Sequence, residues 1–253
     1  MSDVAKQRLL IALFAVIAIA MLVVPRIPQD PAYHEFADQR AWLGIPNAWN
    51  VLSSVVFAWV GLAGLYRLLR QKSLRIRSGF CSAYVIFFAA LVLVALGSAY
   101  YHWNPTNASL ALDRLSMALA FMAFSAILLG ERVSPKFARR ALLPLLLAAI
   151  AGVAYWHYSE LAGRGDLRAY LLLQLMPIIL LPFVLLAFDS DYDRNADLWW
   201  LLAWYLAAKL CELFDRQIFD VLGMVSGHSL KHIAAGIGGF MLLRHLRLRK
   251  PAA

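Results

Sequence analysis

Residues 79–102 read GFCSAYVIFFAALVLVALGSAYYH and contain no Asp, Glu, Lys or Arg. A helix needs about 20 apolar residues to cross a bilayer, so this run is long enough to span one. Similar runs fall at roughly residues 9–25, 48–68, 109–130, 141–158, 168–188, 197–215 and 227–246. Backbone amides in hydrocarbon must find partners within their own segment, so these runs are expected to be helices. They are too continuous for the alternating pattern of barrel strands.

The composition agrees. The chain has 253 residues, of which 62% are hydrophobic and 15% charged, against roughly 25% charged in an average soluble protein. The formal net charge of +9 does not argue for nucleic acid, because the basic residues sit in short blocks between apolar runs. That pattern orients a membrane protein. Two cysteines, Cys81 and Cys211, lie inside apolar runs, which leaves no disulfide framework and no thiolate zinc site.

Lys and Arg crowd the N-terminus, residues 67–77, residues 132–140, Arg194 and residues 244–250. The alternate loops carry only Arg26, Arg40, Arg164, Arg168 and Arg216. The asymmetry puts both termini in the cytoplasm. Basic cytoplasmic loops and compact connections suit a bacterial inner-membrane protein. The domain division is 1–30, an N-terminal hydrophobic helix, and 31–253, the membrane domain. The first segment is an anchor or a signal: Ala18-Ile19-Ala20 offers a cleavage site, but apolar residues continue to Val24.

This topology brings scattered polar residues to one depth, near the outer face. Ser98 and His102 close an outgoing segment, Asp113 opens the next, and His228 and His232 open the last incoming one. A spacing of four stacks side chains on one helix face, so His228 and His232 can share an ion. Three imidazoles and a water make a catalytic zinc arrangement with an open position. Zinc would activate that water and polarise a carbonyl. Asp113 would move its proton to a leaving amine, and Ser98 would hydrogen-bond the developing oxyanion. The plainer readings stay open: Asp113 as a helix cap, Ser98 as a packing residue, and each histidine as a satisfied interfacial group. His34, His157 and His245 are expected to be solvated or interfacial.

A second polar group, Lys209, Glu212, Asp215 and Arg216, lies on the 197–215 segment. Ion pairs Lys209–Glu212 and Glu212–Arg216 are expected along one face. They make either a structural network or a set of groups that orients the histidines. Arg114 and Lys231 are expected to neutralise these carboxylates.

The "SAYYH" turn (residues 98–102), the aspartate of "LDRLSMALAF" (residues 112–121), "GHSLKH" (residues 227–232) and "NAWNVLSS" (residues 47–54) resemble the alkaline ceramidase family. That family lies in a superfamily with the adiponectin receptors, and the likeness covers roughly residues 31–246. The resemblance implies an all-α seven-helix membrane bundle, with one additional N-terminal hydrophobic helix here. It also implies Zn2+ on His102, His228 and His232, with Ser98 and Asp113 in catalysis. The implied activity is hydrolysis of ceramide or a related N-acyl lipid to a long-chain base and a fatty acid. Eukaryotic members carry an acidic calcium-binding stretch with a glutamate just before the Trp-Asn pair, where this chain has Asn47. Asp30, Glu35 and Asp38 could supply oxygens to Ca2+, which stays unassigned. The expected partners are a membrane lipid substrate and the bilayer, with no nucleic acid; the sequence is silent on oligomeric state. The alternatives are a zinc-containing lipid receptor without turnover, and a transporter using Lys209, Glu212 and Asp215.

Overall fold

The computed structural model describes residues 3–252, and among these the fold is all-α with no strand. Helices α1 (Asp3–Val23), α2 (Ala48–Ser53) and α3 (Val55–Leu65) come first, α3 running on through a π turn, Tyr66–Arg70. They are followed by α4 (Cys81–Trp103), α5 (Asn107–Arg132), α6 (Pro135–Leu161) and α7 (Arg168–Ala187). The chain ends with α8 (Asn195–Leu213), α9 (Asp215–Leu222) and α10 (Gly227–Leu248).

Two helices start earlier than their apolar runs because polar caps extend them. At the start of α5, Thr106 and Ser109 form a reciprocal capping box. Ser134 caps α6, and Pro135 occupies its first turn.

Among the described residues six stretches are long and apolar enough to cross a membrane: α1, the α2–α3 stretch, α4, α5, α6 and α7. Helices α8 and α10, of 19 and 22 residues, are not among them. The expected count of seven core spans depends on these two. Most of their charges are paired within the protein: Lys209 and Lys231 with Glu212, and Arg244 with Asp197, which also holds Arg194 at the start of α8.

In the bundle α4 packs along α5, α5 against α6 and α7, and α8 against α10, while α3 joins α4 to α10. Helix α1 lies outside against α7, with only 6% of its apolar window buried. Large exposed apolar side chains such as Leu62, Leu96, Leu143 and Leu186 cover the outer wall. A surface this apolar fits contact with acyl chains.

The basic loops meet at one end of the bundle. Arg75 N donates to Leu246 O at 2.8 Å, Arg77 Nη1 to Glu131 O at 2.8 Å, and Arg249 Nη2 to Glu131 Oε1 at 2.8 Å. His245 is only 3% exposed there, with Nδ1 3.2 Å from Arg194 O. Of the expectation that it is solvated or interfacial, solvation is overturned, because the C-terminal segment folds back over this end. Cys81 is exposed and Cys211 partly so, and neither forms a disulfide.

The segment between α1 and α2 crosses the opposite end as a strap. It is tied by Leu167 N to Ile27 O at 2.8 Å and by Gln29 N to Glu160 Oε1 at 2.7 Å. Asp166, beside it, is held well below the usual carboxylate range by the Arg168 guanidinium. Burial alone would raise the Asp38 carboxyl, but its bonds from Arg40 bring it below its ordinary value. The acidic strap residues do not converge as calcium ligands would: Asp30 caps a turn, Asp38 is engaged by Arg40, and Glu35 is exposed.

Candidate metal centre

Beneath the strap, the last turn of α4 meets the first turns of α5 and α10. Two glycines permit the approach. A Cβ on Gly97 would lie 3.1 Å from both the Cα of Asp113 and the carbonyl oxygen of Leu112, so glycine here lets α5 pack directly against α4. A Cβ on Gly227 would strike the Cys211 carbonyl and come within 2.7 Å of the Asp215 Cα. Both obstacles are backbone and cannot rotate away, so overpacking should cost Gly227→Ala about 1–3 kcal/mol. The expected result is a lower thermal midpoint; an unchanged midpoint would refute this reading of the joint.

Residues distant in sequence come together here. His102 Nε2 lies 3.3 Å from His232 Nε2 and 3.3 Å from His228 Nε2. The ligand atoms of the three rings all lie within 4.8 Å of one another, and all three residues are buried. Among the described residues this is the only group of His, Cys, Asp or Glu with the spacing to hold a metal ion.

The ring orientation follows from hydrogen bonding. Ser53 Oγ donates to Asn50 O at 3.1 Å and lies 2.8 Å from His232 Nδ1. With its own proton engaged, the hydroxyl accepts the Nδ1 proton, and the Nε2 lone pair is left facing the other histidines. Phe36 packs edge-on against His102 and His228, with centroids 4.7 and 5.1 Å away, and Phe57 does so against His232 at 5.8 Å.

Ser98 Oγ lies 3.5 Å from His232 Nε2 and accepts from Ser54 Oγ at 3.0 Å. Asp113 is buried, and its Oδ1 has no hydrogen-bond partner. Ser98, Asp113 and His232 line one cavity of about 440 Å³. Its deeper walls are apolar, with Phe87, Leu91, Met117, Phe121 and Leu181 among them.

The second polar group is rearranged. Glu212 pairs with Lys209 and with Lys231, and Tyr33 of the strap donates to it at 3.1 Å. This ties α8 to α10 and to the strap. The expected Glu212–Arg216 pair does not form, because the chain leaves α8 at Phe214; Arg216 Nη1 donates instead to Ala37 O. Asp215 accepts from the backbone amides of His228 at 2.6 Å and Ala37 at 3.1 Å. It therefore fixes the start of α10. Lys231 meets Glu212 as expected; Arg114 makes no ion pair among the described residues, though it lies close enough to Asp113 to attract its charge.

Sequence reasoning missed several supports. Asn50 is fully buried and accepts from Ser226 Oγ at 3.3 Å and Ser229 Oγ at 2.8 Å, locking α2 to α10. Asn47, in a left-handed conformation at φ 46°, donates to His102 O at 2.8 Å. Two asparagines beside Trp49 at the start of an apolar run were the available signal.

Residues 44–250 match the family model described as Ceramidase. No curated protein matches the chain.

Proposed function

The chain belongs to the ceramidase family, and on that premise we propose that it hydrolyses the amide bond of a membrane lipid. A ceramide or related N-acyl lipid would yield a long-chain base and a fatty acid. The observation that carries this reading is the convergence of three imidazole nitrogens, with one of the rings, His232, on the same largely apolar cavity as Asp113 and Ser98.

The histidines suit zinc. With Zn–N bonds of about 2.0–2.1 Å, a tetrahedral ion separates its ligand nitrogens by about 3.3–3.4 Å. His102 Nε2 lies 3.3 Å from the Nε2 of both His228 and His232. His102, His228 and His232 would hold the ion. When bound, zinc lowers the pKa of a water to about 7 and polarises a carbonyl.

The protein's own groups do the rest. Asp113, on the cavity wall, takes the proton from the attacking water and returns it to the leaving amine. Ser98, with its hydroxyl oxygen 3.0 Å from Ser54 Oγ and 3.5 Å from His232 Nε2, would hydrogen-bond the developing oxyanion. Phe36 and Phe57 wall the rings off from solvent, which strengthens every charge interaction inside. The apolar walls of the cavity accommodate acyl chain.

Residues 31–253 form the catalytic unit in this reading, with 1–30 as an added hydrophobic helix. Both termini face the cytoplasm, and the histidines lie near the outer face, because the basic loops gather at the other end of the bundle. Purified protein should contain stoichiometric zinc and release fatty acid from an N-acyl lipid. Zinc without turnover would favour a receptor; protein without stoichiometric metal would defeat the proposal.

A further inference from the structure

Arg114 follows Asp113 on α5, yet its side chain serves none of the roles above. It is 6% exposed and lines the same cavity as Asp113, Ser98 and His232. Its guanidinium carbon lies 4.1 Å from the Trp156 ring centroid, 4.9 Å from Tyr170 and 5.5 Å from Tyr33. Nη2 donates to Gln29 Oε1 at 2.7 Å, and Gln29 is itself anchored through its backbone to Glu160. Nη1 has no partner.

The aromatic rings and Gln29 thus hold the guanidinium in place; Asp113, next to it on α5, attracts it through space but makes no ion pair with it. The other cations on the cavity wall, Lys209 and Lys231, share Glu212. Asp30 also lines the cavity, but its Oδ1 is occupied in capping the strap turn. A buried guanidinium with one nitrogen unbonded and no ion pair is costly unless something binds it. Its planar fork suits an oxyanion.

We propose that Arg114 is the docking point for an anionic group on the substrate. The scissile lipid would then be an N-acyl lipid with an acidic group, such as a carboxylate, close to its amide, in preference to a neutral ceramide. The inference rests on the amidase reading and narrows its substrate class. Asp113, Arg114 and His232 line one cavity, so an acid near the amide would meet the guanidinium in the space that also holds the amide. The acyl chain would extend towards Phe87, Phe121 and Leu181.

N-oleoyl glycine and N-oleoyl ethanolamine differ in the carboxylate while sharing the acyl chain. The wild-type protein should favour the glycine lipid in kcat/KM by about 10- to 100-fold, the value of a charge-assisted hydrogen bond. Arg114→Gln should abolish that preference mainly through KM, and Arg114→Lys should keep part of it. Equilibrium binding of the two lipids to the Asp113→Asn protein reads the anion site without turnover. A preference in binding with no hydrolysis in the wild type would sink the amidase reading and leave the anion site standing. Equal affinity for the two lipids, or a preference that survives in Arg114→Gln, would overturn the anion site. If Arg114→Gln does not fold, the wild-type comparison decides alone.

Discussion

Asp113→Asn is expected to reduce turnover of an N-acyl lipid by about 10²- to 10⁴-fold, the usual contribution of a positioned proton-transfer group, while zinc content and thermal midpoint stay close to wild type. The substitution is nearly isosteric. Asp113 is not one of the three converging ligands, and its Oδ1 makes no hydrogen bond whose loss could unsettle the fold. The close approach of Gly97 to α5 is made to backbone atoms and is unaffected. The amide nitrogen of asparagine cannot accept the water proton, so the defect should fall on kcat. Activity within a few-fold of wild type would remove Asp113 from the chemistry, and loss of zinc would make it part of the metal's support.

His228→Ala should cost both metal and activity. The side chain contributes one of the converging nitrogens, and the two remaining ligands come from different helices, α4 and α10. A Lewis-acid metal is worth several kcal/mol at the transition state, so its loss corresponds to a fall on the order of 10³-fold or more. The backbone amide of His228 still donates to Asp215 in the variant, so α10 keeps its anchored start. The fold should therefore survive well enough for metal analysis. Stoichiometric zinc retained in His228→Ala would break the assignment of ligands. The two variants separate the roles: one lacks chemistry with the ion in place, the other lacks the ion.

Much of this site was legible in the chain. Runs of about 20 apolar residues have few conformations open to them in hydrocarbon, so the helices and their approximate limits could be read directly. The asymmetry of Lys and Arg placed Ser98, His102, Asp113, His228 and His232 at one level. The structure brings the histidines and Ser98 into contact and puts Asp113 on the same cavity. Residues 44–250 match the ceramidase family, in line with the resemblance of those motifs.

Helix ends set by side-chain caps were less clear, as α6 shows: Ser134 and Pro135 start it ahead of its apolar run. A local pattern also failed where the helix broke. The spacing of Glu212 and Arg216 pairs them only if α8 continues past Phe214, and it does not.

The sequence by itself determined that this is a multi-span helical protein with polar residues grouped at one end, because solvation in a bilayer acts on each segment separately. Tertiary structure alone decided the tautomer of His232 through Ser53, the locking of α10 by Asn50 and Asp215, and the pairing of Glu212 with two lysines. It also decided that Arg114 would lie among aromatic rings without an ion pair. Hydrogen bonds and ion pairs form over about 3 Å, a distance fixed by the packing of helices remote in the chain and therefore carried by no single stretch of it.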